Sequence, residues 1–217
     1  MVWLTFFPLL ATIVSLAFAA MTANQYRERR KPYQLLWTIS FVIFGFATFG
    51  EFYSTVWGWT PLLYRLYYVA SASLVALMGA GTMYLLTQRR LAHGFLAYTL
   101  VVMAVFIIEA LRAELITANF VPGIVVAGKA MPSSVRLFSP LLTIPGTIAL
   151  FGGAIYSWWR TRTTYNLYIA LGAAILASAG GAARGGAAQF LYLGELVGLV
   201  VLLWGFLKSR EVRRPSR

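Results

Sequence analysis

Seven long apolar runs alternate with short polar breaks along this chain. The runs are Val2–Ala23, Leu35–Trp57, Leu62–Thr87, Leu91–Leu111, Val135–Trp159, Tyr165–Ala183 and Ala187–Leu207. A hydrocarbon core about 30 Å thick takes about 20 apolar residues to cross as a helix. A single such run can be a buried core helix, but seven in succession point to repeated crossings. Lipid offers backbone N–H and C=O groups no partner, so each crossing must satisfy them within its own helix. The pattern therefore predicts an all-α membrane protein, a single seven-transmembrane-helix bundle over residues 1–217. One outer loop, residues 112–134, is long, and residues 208–217 form a basic tail. A composition that is 60% hydrophobic and 11% charged agrees.

The polar breaks carry the charge, and it sorts by side. Arg27, Arg29, Arg30, Lys31, Arg89, Arg90, Arg160, Arg162 and the five Lys and Arg residues from Lys208 to Arg217 share one side of an alternating layout. Arg65, Arg112, Lys129, Arg136 and Arg184 fall on or near the other. The positive-inside rule puts the first group in the cytoplasm, the N-terminus outside and the C-terminus inside. The tail then lies against anionic headgroups. A formal charge of +12 invites a nucleic-acid reading. Basic residues confined to short caps between apolar runs argue against it, and no nucleic-acid partner is expected. The first run lacks a positive n-region, so it reads as a retained helix and not a cleaved signal peptide.

Other residues refine the layout. Trp57, Trp59 and Tyr64 fall at the outer edge, and Tyr33, Trp37, Tyr156, Trp158, Trp159 and Tyr165 at the inner edge, as aromatic belts require. The sixth run is crowded with Gly172, Ala173, Ala174, Ala177, Gly180 and Gly181. Gly181/Gly185 and Gly194/Gly198 have GxxxG spacing, which predicts close helix contact and places helices six and seven in the bundle interior. In the long loop, Phe120 to Val126 reads as a turn with a small hairpin, either capping the bundle or lying passively on its surface.

Candidate chemistry is sparse. The chain has no Cys and no Asp, and its single histidine, His93, falls in a cytoplasmic turn. Thiolate sites, zinc hydrolase sites, paired haem ligands and a Ser-His-Asp triad all lack their parts. Lys31, Lys129 and Lys208 lie outside the apolar runs, so no lysine is placed for a retinal Schiff base. No cofactor and no metal are expected, and no constellation marks an enzyme. Ionisable groups at membrane depth are functional suspects. Glu51 lies about two turns below the outer end of helix two, and Glu195 about two turns into helix seven. Each must be protonated, paired with arginine, or open to a water-filled cavity. Arg65 and Arg184 have the right sign and depth. These observations predict an outer-half pocket lined by Glu51, Arg65, Tyr67, Tyr68, Arg184, Tyr192 and Glu195, against the alternative of purely structural interhelical pairing. The glycines around Arg184 read either as a tight turn or as an anion cradle.

One resemblance adds context. Arg29-Arg30-Lys31-Pro32, Glu51, Gly58-Trp59-Thr60-Pro61, Arg65-Leu66-Tyr67-Tyr68 and Gly79-Ala80-Gly81-Thr82-Met83-Tyr84-Leu85-Leu86 resemble uncharacterised bacterial seven-helix integral membrane proteins. The resemblance implies a bacterial inner (cell) membrane setting and brings no activity with it. The layout is also similar, as architecture alone, to rhodopsin-like and vitamin-transporter-like bundles. Two functions are open. One is binding or transport of a small amphipathic or anionic, lipid-like ligand in the outer-half pocket. The other is an accessory or sensory subunit that packs against another membrane protein. Membrane lipids are partners in either case.

Overall fold

A computed structural model of the chain describes residues 2–120, 125–185, 187 and 190–211. Its helices are α1 (Val2–Arg29), α2 (Pro32–Trp57), α3 (Pro61–Leu86), α4 (Arg89–Arg112), α5 (Ser133–Arg136), α6 (Phe138–Thr147), α7 (Gly153–Thr161), α8 (Thr164–Arg184) and α9 (Leu191–Glu211). Five residues in π-helical geometry, Ile148–Gly152, join α6 to α7. The stretch from α5 to α7 forms one apolar span, so 7 helical spans are long and apolar enough to cross a membrane. This arrangement indicates a multi-pass membrane bundle. Among the described residues no strand forms.

The helices run past the apolar edges read from the sequence. α1 continues through Arg27 to Arg29, and α4 begins at Arg89. Hydropathy stops where lipid stops, whereas a helix keeps its backbone bonded into the headgroup region. Prolines set two starts: Pro32 and Pro61 occupy first-turn positions, where a missing N–H costs nothing. Between α2 and α3 the chain reverses through Gly58, whose φ of 83° a residue with a side chain would rarely adopt. The reversal folds Trp59 back onto Tyr64 and Tyr67, with ring centroids 5.5 Å and 4.8 Å away. Trp59 and Tyr64 are therefore buried core residues and not the interfacial anchors expected of them. Trp57 and Trp159 are exposed.

The bundle is centred on α3, with α2 beside it. Of the most apolar window in each, 61% of α3 and 50% of α2 is buried, against 33% in α8 and 39% in α9. Helices six and seven, α8 and α9, are thus not the interior pair that their small residues predicted. Their glycines bring them onto each other. A Cβ on Gly172 would stand 2.7 Å from the Gly198 carbonyl oxygen, and one on Gly194 would stand 2.5 Å from Ala179 Cβ. Gly181 makes no such approach. A second close crossing joins α3 to α6, where a Cβ on Gly146 would meet the Val75 carbonyl at 2.7 Å.

Side-chain hydrogen bonds lace the spans at depth. Thr12 and Thr48 link α1 to α2 at 2.9 Å, and Ser15 donates to the Phe41 carbonyl at 2.7 Å. Trp37 Nε1 donates to the Met78 carbonyl on α3 at 3.2 Å. Such bonds contribute about 0.6–2 kcal/mol each in a bilayer. In α6, Pro145 has no N–H to offer the carbonyl four residues earlier. That carbonyl, on Leu141, accepts instead from Tyr98 Oη of α4 at 2.7 Å. The loop between α4 and α5 caps one end of the bundle: Val126, Ala130 and Met131 are buried, and Tyr64 Oη donates to the Ala127 carbonyl at 2.7 Å. The turn expected at residues 121–124 lies outside the described residues.

Candidate functional site

The residues that could carry chemistry gather in the half of the bundle nearest that capping loop. At about 1.5 Å per residue, Glu51 lies about 9 Å from the loop end of α2 and Glu195 about 6 Å from that of α9. On α2, Thr48, Glu51 and Ser54 are all buried and share one face at three-residue steps. On α3, Tyr64, Tyr67, Tyr68 and Ser71 share another.

Glu51 is 1% exposed. Its Oε1 accepts from Tyr67 Oη at 2.7 Å. Its carboxyl faces that of Glu195 across α2 and α9 at hydrogen-bonding range. No other donor among the described residues reaches Oε2 of either glutamate. Tyr192 is buried above them and bonds to the Ser54 side chain, whose hydroxyl also donates to the Glu51 carbonyl at 2.8 Å. Among the described residues the partners of Glu51 are thus a second carboxyl and a phenol.

Arg65 faces elsewhere. Successive helical residues turn by about 100°, so Arg65 points away from Tyr64 and Tyr67 and toward α4. There its Nε donates to the Ala110 carbonyl at 3.0 Å and its Nη2 to the Ala113 carbonyl at 2.7 Å. The guanidinium closes the otherwise unbonded C-terminal carbonyls of α4. Arg184 ends α8, and its side chain lies outside the described residues, as does Gly186 of the proposed anion cradle.

Beside the carboxyl pair lies a cavity of about 670 Å³, bounded by α2, α3, the fifth span, α8 and α9. Glu195, Tyr67 and Tyr68 line it, whereas Glu51 and Tyr192 stand behind its wall. Its deep part is apolar, with Phe44, Leu74, Met78 and Leu150. Hydroxyls run up one side: Ser139, Thr143 and Thr147 recur every four residues on the fifth span. Lys129 and Arg136 stand at the loop end. The three hydroxyls escaped the sequence reading because a serine or threonine in an apolar helix carries no charge to flag it. The four-residue spacing was the available signal.

The cavity opens sideways. α8 packs against α7 and the π turn but not closely against α6. Thr143 and Ile144 on α6, and Ala177 and Gly180 on α8, line the resulting gap. Ile144 is 57% exposed, and a Cβ on Gly180 would meet no atom within 4 Å. Pro145 and the π turn account for the divergence, since both interrupt regular α-helical bonding where the fifth span leaves α8.

The arrangement can accept a molecule with an apolar body and a polar or anionic head. Among the described residues no cluster of three or more His, Cys, Asp or Glu side chains could hold a metal. In comparisons with known proteins, the chain matches no family model, no curated protein and no solved structure.

Proposed function

We propose that this chain is an integral membrane protein that binds a small amphipathic, anionic ligand, drawn from the bilayer through the gap between α6 and α8. The observation that carries this reading is the cavity of about 670 Å³, open to the side, apolar at depth and basic at its loop end. In the orientation given by the positive-inside rule, the capping loop and the basic mouth are outside and the arginine-rich turns are cytoplasmic. An acyl or prenyl chain fits the Phe44–Leu150 region, the hydroxyl ladder accepts polar atoms along its length, and Arg136 and Lys129 complement an anionic head. A subunit whose sole task is packing against a partner has no use for such a space.

Ligand-dependent thermal stabilisation tests the reading, with oleate and lysophosphatidate as probes and a neutral monoacylglycerol as control. A ligand at a hundred times its dissociation constant adds about 2.7 kcal/mol. For a chain of this size that raises Tm by roughly 5–10 °C. The Gly180→Leu variant puts a side chain in the gap at a position where a Cβ meets no atom within 4 Å, so it should fold and lose the shift. Equal shifts in wild type and Gly180→Leu, or equal response to the neutral control, would rule the cavity out as the binding site.

A further inference from the structure

We infer that Glu51 and Glu195 together form a buried proton-binding site that joins α2 to α9 at the wall of the cavity. Glu51 Oε2 and Glu195 Oε2 are both buried, and no donor from elsewhere among the described residues reaches them. Two carboxylates offer four acceptor oxygens and no hydrogen. The carboxyls can bond to each other once one proton is added. One group is then a carboxylic acid whose O–H donates, the other is a carboxylate that accepts, and the pair carries a single negative charge. Tyr67 supplies a second donor, to Glu51 Oε1. Like charges in contact in a medium of low dielectric repel strongly, which disfavours the doubly ionised pair.

The surroundings favour a proton over a metal cation. Among the described residues the groups that act on the pair are Tyr67 from α3 and Tyr192 from α9, with no Lys, Arg or His. From α2, Ser54 bonds to Tyr192 and to the backbone, and Thr48 is taken by Thr12 of α1. Among the described side chains of α8, those that line the cavity, Ala177 and Gly180 among them, carry no ionisable group. Sodium or potassium would need several further oxygens around the carboxyls. Glu195 lines the cavity, so the proton has a path to and from it. The same contact is a tie between helices. α2 and α9 are not closely packed, and loss of the proton would set two carboxylates against each other across that seam.

The site stands on the carboxyl contact and not on the identity of the cavity's ligand. Infrared difference spectroscopy on the full chain in sodium-free detergent solution, titrated from acid to alkaline pH, tests it directly. Wild type should show one protonated carboxyl C=O band that titrates and shifts in heavy water. Glu51→Gln and Glu195→Gln should each move or remove that band, since an amide replaces one partner while keeping a hydrogen bond. The double variant should lose one protonated carboxyl per chain, and Glu114→Gln in the loop should change nothing. Survival of the band in the double variant, or its absence from wild type at every pH, would overturn the assignment. Abolition of the band by added sodium at constant pH would show a metal cation there instead. Because no ligand is added, failure of the lipid-binding test leaves this result readable by itself.

Discussion

At the scale of single residues, the contact between Tyr67 and Glu51 gives the sharpest expectation. Tyr67→Phe removes the O–H that, among the described residues, reaches Glu51 Oε1, and leaves a buried acceptor open. An orphaned buried acceptor costs about 1–3 kcal/mol in water-soluble proteins, and hydrogen bonds within bilayers average nearer 0.6 kcal/mol. The expected loss is therefore about 1 kcal/mol, read as a Tm lower by roughly 2–4 °C in detergent. An unchanged Tm would mean that the phenol does not hold the carboxyl. Glu51 and Glu195 were legible in the sequence because a charge inside an apolar run is conspicuous. Their pairing with each other was not, since nothing in a single helix says which face of another helix it meets. Arg65 shows the same limit. Its depth and sign suited Glu51, but one helical position separates it from Tyr64, and that step turns it toward the end of α4.

At the scale of elements, the glycines separate into two kinds that the sequence alone does not distinguish. Gly181/Gly185 and Gly194/Gly198 have the same spacing, yet packing engages only the second pair. A Cβ on Gly198 would lie 2.8 Å from Leu176 Cγ and 3.0 Å from the Gly172 carbonyl oxygen. Gly198→Leu should therefore force α8 and α9 apart and destabilise by about 1–3 kcal/mol. Gly180→Leu, with open space around it, should leave the unfolding midpoint near that of wild type. A comparison of the two thermal midpoints checks the claim, and a similar loss in both would show that the helix seam is misplaced. Pro145 was likewise plain in the sequence, but its compensation was not. The carbonyl it leaves without a backbone N–H is satisfied from α4 by Tyr98, 43 residues away in the chain. The cavity depends on that non-local arrangement, because Pro145 and the π turn carry the hydroxyl ladder of α6 away from α8.

At the scale of the whole molecule, the seven spans were legible because bilayer thickness fixes length and composition together. The interior order was not, because apolarity is the same whether a side chain meets lipid or another helix. α3, at 61% buried, and α9, at 39%, have the same mean hydropathy of 1.7. Hydropathy also gives no orientation, and the proposed one rests on charge alone. The turn at Gln88 lies among the arginine-rich connections, whereas Glu114 lies in the capping loop at the opposite ends of the same spans. Both side chains are exposed. The chain has no native cysteine, so single substitutions report without background. In intact cells, Glu114→Cys should react with a membrane-impermeant maleimide, and Gln88→Cys should react only after the membrane is permeabilised. The reverse pattern would place the basic turns outside. The cavity would then take its ligand from the cytoplasmic leaflet, and the proton held by Glu51 and Glu195 would exchange with the cell interior.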